Sequence, residues 1–179
     1  MNFTDLSAVM RENGIVGAGG AGFPSYAKLN KKADTILLNC AECEPLLKLH
    51  RQVMEKYAFE IMSTLAQIAD VLEAKQVIIA IKGSYRAAVE AVQANLASFQ
   101  NIQIGILPEI YPAGDEVITI YETTKRVVPP GSLPIEVGVI VYNVETIYNV
   151  YRAIRDAQPV TYKYITIAGE VKTPVTLRA

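Results

Sequence analysis

The segments TILLN (residues 35–39), QVIIAI (residues 76–81) and IQIGIL (residues 102–107) are three short apolar runs separated by longer stretches. Such continuous aliphatic runs are typical of strands buried on both faces of a sheet. From about residue 51 to residue 74, apolar residues recur at steps of three and four, which predicts a long amphipathic helix. A second helix is predicted over about 85–98. The alternation predicts an α/β fold, with a mostly parallel sheet, helices on both faces and right-handed crossovers.

The same pattern continues on either side of this unit. A fourth buried strand is predicted at VGVIVYN (residues 137–143), with a helix before it at about 114–124 and another after it at VETIYNVYRAIRD (residues 144–156). Residues 3–13 predict a short amphipathic helix with Thr4 as its N-cap. These elements extend the sheet and its helical cover to most of the chain.

The pattern changes after residue 158. The segment VTYKYITIAGEV (residues 160–171) alternates with period two, as expected for a strand with one solvent-exposed face. We therefore expect a first domain over residues 1–158 and the opening strand of an incomplete second module over residues 159–179.

Composition excludes several classes of protein. The 179 residues carry a net charge of −1, which gives no electrostatic case for binding nucleic acid. No secretory signal and no apolar run of membrane-spanning length is visible, so a cytoplasmic protein without a direct membrane span is expected. Two cysteines and one histidine are too few for a disulfide framework, a four-cysteine metal site or an iron–sulfur cluster in this chain. A homo-oligomer remains open.

A glycine-rich segment, GIVGAGGAGFPSYAKL (residues 14–29), precedes the first predicted strand. Gly17, Gly19 and Gly22 satisfy the G-x-G-x-x-G pattern of dinucleotide-binding loops. Such a loop should follow a strand directly, whereas a helix precedes it here, which argues against the Rossmann interpretation. Dense glycine indicates backbone that approaches a ligand closely, and N–H-rich turns bind anions. We therefore predict a phosphate-bearing ligand rather than an ordinary surface loop.

The CAEC motif permits a different interpretation, a redox dithiol formed by Cys40 and Cys43. Glu42 lies between them and would raise a thiol pKa rather than lower it, and Pro45 breaks the helix that such a motif normally opens. Small loop residues are the favoured interpretation, with a dithiol oxidoreductase as the alternative. His50 is predicted to be a surface residue at a helix entry, because the chain has no second histidine with which to hold a metal.

Four segments, in this order, resemble the flavin-binding 51 kDa subunit of respiratory NADH dehydrogenase. GAGGAGFPSYAKL resembles the GxGGAGFPxxxKW loop of that family, LNCAECEP its xNADExEP loop, YPAGDE its YxxGEE element, and YNVETIYNV its NNVETLANV. Within this superfamily, AECEPLL and VPPGSLP are similar to the C subunit of the Rnf complex. They are more similar still to the corrin (cobalamin) reductases and the proline reductase-associated electron-transfer proteins. The resemblance covers residues 14–174 and implies a Rossmann-like flavin-binding domain.

The resemblance implies FMN as cofactor and NAD(H) as substrate bound over the same flavin. The positions that match the family's FMN-binding residues are Gly17, Gly19, Gly20, Gly22, Lys28, Asn39, Glu42, Asn143 and Thr146. The positions that match its NADH side and pocket cover are Phe23, Glu44, Tyr111, Gly114 and Glu116. No catalytic side chain and no metal ligand is implied, because the flavin supplies the chemistry.

Individual roles also follow from the resemblance. The glycines would let the backbone wrap the flavin, and Lys28 would hold an anionic or polar part of it. Asn143 and Thr146 would meet the phosphate at a helix N-terminus, where the helix dipole favours an anion. Ala18 and Ala41 stand where the complex I pattern has Arg and Asp, which weakens the transfer of the NADH site more than that of the flavin site.

These relatives continue into a β-grasp module and an iron–sulfur segment, so residues 159–179 resemble the opening strand of that module. Iron–sulfur clusters are not expected in this chain. Electrons would pass from NADH through FMN to an iron–sulfur protein or to a missing C-terminal segment. The implied function is therefore the FMN-binding domain of an NADH-linked electron-transfer oxidoreductase, incomplete on its own. The alternative is a redox-inactive scaffold or docking module that retains the fold.

Overall fold

The computed structural model describes all residues, 1–179. Its α-helices are α1 (Phe3–Glu12), α2 (Leu49–Leu72), α3 (Arg86–Asn95), α4 (Glu116–Thr124) and α5 (Val144–Asp156). Its strands are β1 (Thr35–Asn39), β2 (Gln76–Lys82), β3 (Ile102–Leu107), β4 (Val139–Asn143), β5 (Tyr164–Ile167) and β6 (Val175–Arg178). Three short 3₁₀ helices lie at Ser25–Lys28, Leu96–Ser98 and Pro134–Val137.

The first four strands form one parallel sheet in the order β3-β2-β1-β4. Strands β2 and β3 follow one another on one side of β1, and β4 lies on the other side of β1. The strand order therefore reverses between β1 and β4. In open α/β sheets, a crevice for ligands forms at the carboxyl ends of the strands at such a point.

Helices cover both faces of the sheet. The larger apolar cluster joins Ile36 and Leu38 of β1 to α1, α2, α3 and α5, and the smaller one joins Leu37 to Ile120 of α4. Alternate residues of β1 thus enter opposite cores, which explains why its three central residues, 36–38, are all apolar. The predicted α/β fold with a parallel sheet and helices on both faces is confirmed. None of the helices is both long enough and apolar enough to cross a membrane.

Several predicted boundaries differ from the structure. The N-cap of α1 is Asn2 and not Thr4, because Asn2 and Asp5 each accept the backbone N–H of the other in a capping box. The helix predicted from about residue 51 begins at Leu49. The strand predicted from residue 137 begins at Val139, after a 3₁₀ turn that ends at Gly138 with φ of 75°.

The C-terminal segment forms a hairpin rather than the single strand that was predicted. β5 pairs antiparallel with β6, and the chain reverses between them through Gly169 at φ of 96°. Before the hairpin, the N–H of Val160 donates to the Asn13 carbonyl at 2.9 Å, and Lys163 Nζ donates to the Ala18 carbonyl at 2.9 Å. The division into residues 1–158 and 159–179 stays a prediction, but the second segment touches the glycine loop.

Candidate functional site

A cavity of about 670 Å³ lies at the carboxyl ends of β1 and β4, where the strand order reverses. Five parts of the chain line it, namely residues within 17–28, 39–50, 114–116, 141–146 and 163–164. Its volume falls within the range of roughly 300–1,000 Å³ that is typical of small-molecule and cofactor sites. Topology and size therefore make this cavity the candidate ligand site.

All but two of the predicted site residues line this cavity. The lining residues among them are Gly17, Gly19, Gly20, Phe23, Lys28, Asn39, Glu42, Glu44, Gly114, Glu116, Asn143 and Thr146. Gly22 lies outside the lining, with φ of 64° in the turn of the glycine loop. Tyr111 also lies outside it, and 81% of its surface is exposed.

The glycine loop packs directly against the start of α5. The N–H of Ala18 donates to Thr146 Oγ1 at 3.0 Å. A Cβ atom on Gly19 would lie 3.3 Å from Asn143 Nδ2, a tight contact that the amide would have to relieve by a small shift. Gly20 has φ of 134°, a conformation that favours glycine. The loop therefore needs glycine both for its close approach and for its turn.

Two asparagines end the adjacent strands β1 and β4 and lie opposite each other in register. Asn143 Oδ1 accepts from the N–H of Glu145 at 2.9 Å and the N–H of Thr146 at 3.4 Å, and so caps α5. Asn39 Nδ2 donates to the Gly114 carbonyl at 2.8 Å. These predicted ligands therefore also hold the walls of the cavity together.

Glu42 caps the start of α2. Its side chain is almost fully buried, and Oε1 accepts from the N–H of His50 at 2.8 Å. Arg51 Nε lies 3.5 Å from Oε2. Burial raises the pKa of Glu42 and outweighs the opposing effects of the His50 N–H and the Arg51 charge. The carboxyl group thus has one oxygen engaged in capping the helix and one near a guanidinium.

The prediction that His50 is a surface residue is wrong. Its ring lines the cavity, and Nε2 lies 2.7 Å from Asn143 Nδ2. Burial, followed by the nearby charge of Lys163, lowers the pKa of His50 to about 4. The imidazole is therefore neutral near pH 7. The signal available in the sequence was its place in the first helical turn after the AECEP loop.

Unpartnered polar atoms are concentrated around this cavity. Four buried side-chain atoms of its lining have no hydrogen-bond partner, namely Ser25 Oγ, Glu42 Oε2, His50 Nδ1 and Tyr142 OH. A buried polar group without a partner costs about 1–3 kcal/mol, so most proteins have few of them. These atoms are buried parts of lining residues, and Glu42 Oε2 lies beside Arg51 Nε. Neither Ser25 nor Tyr142 is among the predicted site residues.

Lys163 and Glu145 were also missed. They form an ion pair at the edge of the cavity, where the Glu145 carboxylate is buried. Lys163 also donates to the carbonyl of Ala18 in the glycine loop, across 145 positions of sequence. No local pattern signals such a contact, because Lys163 belongs to the segment that was assigned to a separate module.

A second, mostly apolar cavity of about 360 Å³ adjoins the first and shares Phe23, Lys28 and Glu116 with it. Lys28 Nζ donates to the Val141 carbonyl at 2.9 Å and lies 3.7 Å from Glu116 Oε1. The ring of Phe23 is about half exposed. This end of the site therefore offers an apolar surface bordered by an ion pair.

The cysteines of the CAEC motif do not form a reactive pair. Cys40 is completely buried, and burial raises the pKa of its thiol far above the usual range, with a further rise from Glu42. A thiol in that state is a poor nucleophile. Cys43 is partly exposed on the cavity wall. The structure also places no group of three or more His, Cys, Asp or Glu side chains where they could hold a metal ion.

Sequence comparison identifies relatives along nearly the whole chain. The family model described as the Nuo51 FMN-binding domain matches residues 10–152. The chain is 45% identical over 168 residues to the cobalamin reductase PduS of Citrobacter freundii, covering 94% of this chain and 37% of that protein. It is 36% identical over 164 residues to the C subunit of an ion-translocating oxidoreductase complex from Edwardsiella ictaluri, covering 90% of this chain and 20% of that protein. The chain thus spans well under half the length of these relatives.

Solved structures with the same fold include the NAD⁺-reducing NiFe-hydrogenase. Its H₂-reduced state superimposes with a TM-score of 0.84 at 21% identity, covering 99% of this chain and 37% of that chain. Its air-oxidised state superimposes with a TM-score of 0.78 at 19% identity, covering 99% of this chain and 36% of that chain. At such low identity the similarity establishes the fold alone.

Protonation of His50 is expected to destabilise the protein in acid. Its pKa of about 4 in the folded chain lies below the ordinary 6.5, so the unfolded chain binds a proton at a higher pH. The free energy of unfolding should therefore fall as the pH drops from 6.5 to about 4, by roughly 2–3 kcal/mol in total. The raised pKa of Glu42 acts in the opposite direction, because it favours the folded state as the carboxyl is protonated.

Urea unfolding across this pH range measures the effect. His50→Gln should lose less stability than the wild type between about pH 6.5 and pH 4, since glutamine does not titrate there. If the free energy of unfolding fell equally with pH in the two proteins, the lowered pKa assigned to His50 would be contradicted.

Proposed function

The chain belongs to the Nuo51 FMN-binding domain family, and on that premise we propose that it binds FMN in the cavity between β1 and β4. The relationship expected from the four sequence motifs, including the branch of cobalamin reductases and ion-translocating oxidoreductase C subunits, is confirmed. One observation carries the proposal: all four motifs, although far apart in sequence, contribute residues to the same cavity. The glycine loop, the AECEP loop and the NVET segment line it with most of their predicted residues, and the YPAGDE element adds Gly114 and Glu116.

The lining offers one feature suited to the phosphate of a flavin nucleotide, the N-terminus of α5, whose helix dipole favours an anion. Lys28 and Lys163 also line the cavity, but each is paired with a glutamate of the same lining, Glu116 and Glu145. Ser25 and Tyr142 of the lining carry buried hydroxyl groups that have no hydrogen-bond partner. Gly19 packs closely on Asn143 at the edge of this space, since an added Cβ atom would lie 3.3 Å from the amide nitrogen.

When bound, FMN can accept a hydride from a nicotinamide and release electrons singly. The residues of this chain would bind and orient the cofactor. The glycine loop and the start of α5 would hold its phosphate end, and Asn39 and Glu42 would lie near its polar groups. Phe23 and Glu44, which are partly or largely exposed, would form the open side that receives NAD(H), with Gly114 and Glu116 beside them.

We propose further that the domain passes electrons from NAD(H) to an iron–sulfur centre on a partner protein or on another segment. This proposal draws on the names of the relatives, a cobalamin reductase and a subunit of an ion-translocating oxidoreductase. The chain contains only two cysteines, so a cluster would have to lie elsewhere. The second candidate function is a redox-inactive scaffold that retains the fold.

Binding of FMN tests the first proposal. We expect the purified chain to quench FMN fluorescence with a Kd below some tens of micromolar, about −6 kcal/mol or better. Gly19→Val should weaken binding at least about tenfold, a loss of about 1.4 kcal/mol, because its side chain would meet the Asn143 amide. Gly83→Ala is the matched control, since its Cβ would lie 3.6 Å from Ile106 Cγ2, an ordinary contact outside the cavity. A folded wild-type chain that leaves FMN free would refute the proposal.

Anaerobic addition of NADH to the FMN-loaded chain distinguishes the two candidates. Bleaching of the flavin absorbance is expected and would remove the scaffold alternative. Phe23→Leu should raise the NADH concentration at half-maximal rate by about two- to tenfold, because an aromatic contact is lost. Phe59→Leu on α2, where the native ring is similarly exposed, provides the control. Tight FMN binding with no bleaching would rule out the link to NAD(H).

A further inference from the structure

The amide of Asn143 has one orientation that satisfies its contacts. Its Oδ1 accepts from the N–H groups of Glu145 and Thr146 at the start of α5. Its Nδ2 must therefore face His50, whose Nε2 lies 2.7 Å away. An amide nitrogen only donates, so Nε2 has to present its lone pair. The proton of the neutral imidazole then sits on Nδ1.

The groups around the ring favour this neutral form. Burial of the ring is the main cause of its lowered pKa, and the charge of Lys163, which lies just before β5 and pairs with Glu145 of α5, lowers the pKa further. On the preceding loop, Glu42 accepts the backbone N–H of His50 and has Arg51 of α2 beside its other oxygen. A second ring proton would face Asn143 Nδ2 with no acceptor between them.

The same amide supports the glycine loop. Gly19 packs so closely on Asn143 Nδ2 that a Cβ atom would lie 3.3 Å from it. Thr146, whose N–H is held by Asn143 Oδ1, accepts the N–H of Ala18 at 3.0 Å. A rotation of the amide would therefore disturb both contacts that hold the loop against α5.

We propose that His50 is a positioning residue of the ligand site: as a neutral ring protonated on Nδ1, it fixes the Asn143 amide and, through that amide, the glycine loop. The effect on ligand affinity rests on the proposed FMN function. The tautomer, in contrast, is a property of the chain without any ligand. The two can therefore be tested separately.

Nitrogen NMR reads the tautomer directly. His50 is the only histidine in the chain, so long-range ¹H–¹⁵N spectra of the labelled protein contain one imidazole. Near neutral pH we expect a pyrrole-type nitrogen at Nδ1 and a pyridine-type nitrogen at Nε2. Protonation at Nε2, or averaged signals from both tautomers, would overturn the proposal.

Two substitutions separate positioning from simple packing. His50→Gln places an amide oxygen where it can accept from Asn143 Nδ2, whereas His50→Leu cannot accept at all. We expect the leucine variant to bind FMN about 5- to 30-fold more weakly, the range that corresponds to one or two kcal/mol, and the glutamine variant to recover most of that loss. Gln52→Leu, at an exposed position two residues further along α2, is the matched control.

The outcomes remain distinguishable. Equal losses of affinity in the glutamine and leucine variants, both folded, would overturn the positioning role. If the leucine variant does not fold, the tautomer and the glutamine variant decide the question. If the wild type carries the Nδ1 proton and yet binds no FMN, the proposed function fails while the His50–Asn143 contact stands.

Discussion

The side-chain amide of Asn143 connects four parts of the molecule, and the shape of the cavity depends on it. It ends β4, caps α5, supports Gly19 of the glycine loop and meets His50 at the start of α2. Each contact uses a different direction or atom of the same small group. Without the amide, the first N–H groups of α5 would lose their acceptor and Gly19 would lose the side chain against which it packs. A capping residue of a helix thus sets the position of a loop that is remote in sequence.

The cavity combines a rigid frame with unsatisfied polar groups. Three hydrogen bonds fix its walls: Asn39 Nδ2 donates to the Gly114 carbonyl, Asn143 Oδ1 accepts from the N–H of Glu145, and Thr146 Oγ1 accepts from the N–H of Ala18. The hydroxyls of Ser25 and Tyr142 are buried and have no partner. Such groups reduce the stability of a fold unless something else satisfies them.

The sheet and its helices could be predicted because the information is local. β1 and β2 are apolar at every position that the two cores bury, and the steps of three and four along α2 identify its buried face. The motif resemblance then predicted Gly19, Asn39 and Asn143 as site residues, and all three line the same cavity. Asn2 and Thr4 are both residue types that cap helices, and it is the pair of hydrogen bonds between Asn2 and Asp5 that makes Asn2 the N-cap of α1.

Long-range contacts account for the other differences between the sequence-based predictions and the structure. His50 contacts Asn143, which is 93 positions away, and Lys163 reaches Ala18 across 145 positions. Neither residue type is unusual where it stands in the sequence. β6 is only four residues long, too short to reveal the hairpin by periodicity. These features follow from the way the strand order brings separate segments to one edge of the sheet.

Amide chemical-shift mapping with FMN tests the central claim most directly, because it reports both binding and place. Titration of the ¹⁵N-labelled chain should shift the amides of residues 17–23, 39–44, 114–116 and 143–146, which surround the cavity. Riboflavin, which lacks the phosphate, should leave the shifts at 143–146 smaller. Shifts confined to other surfaces, or none at saturating FMN, would contradict the assignment of this cavity as the flavin site.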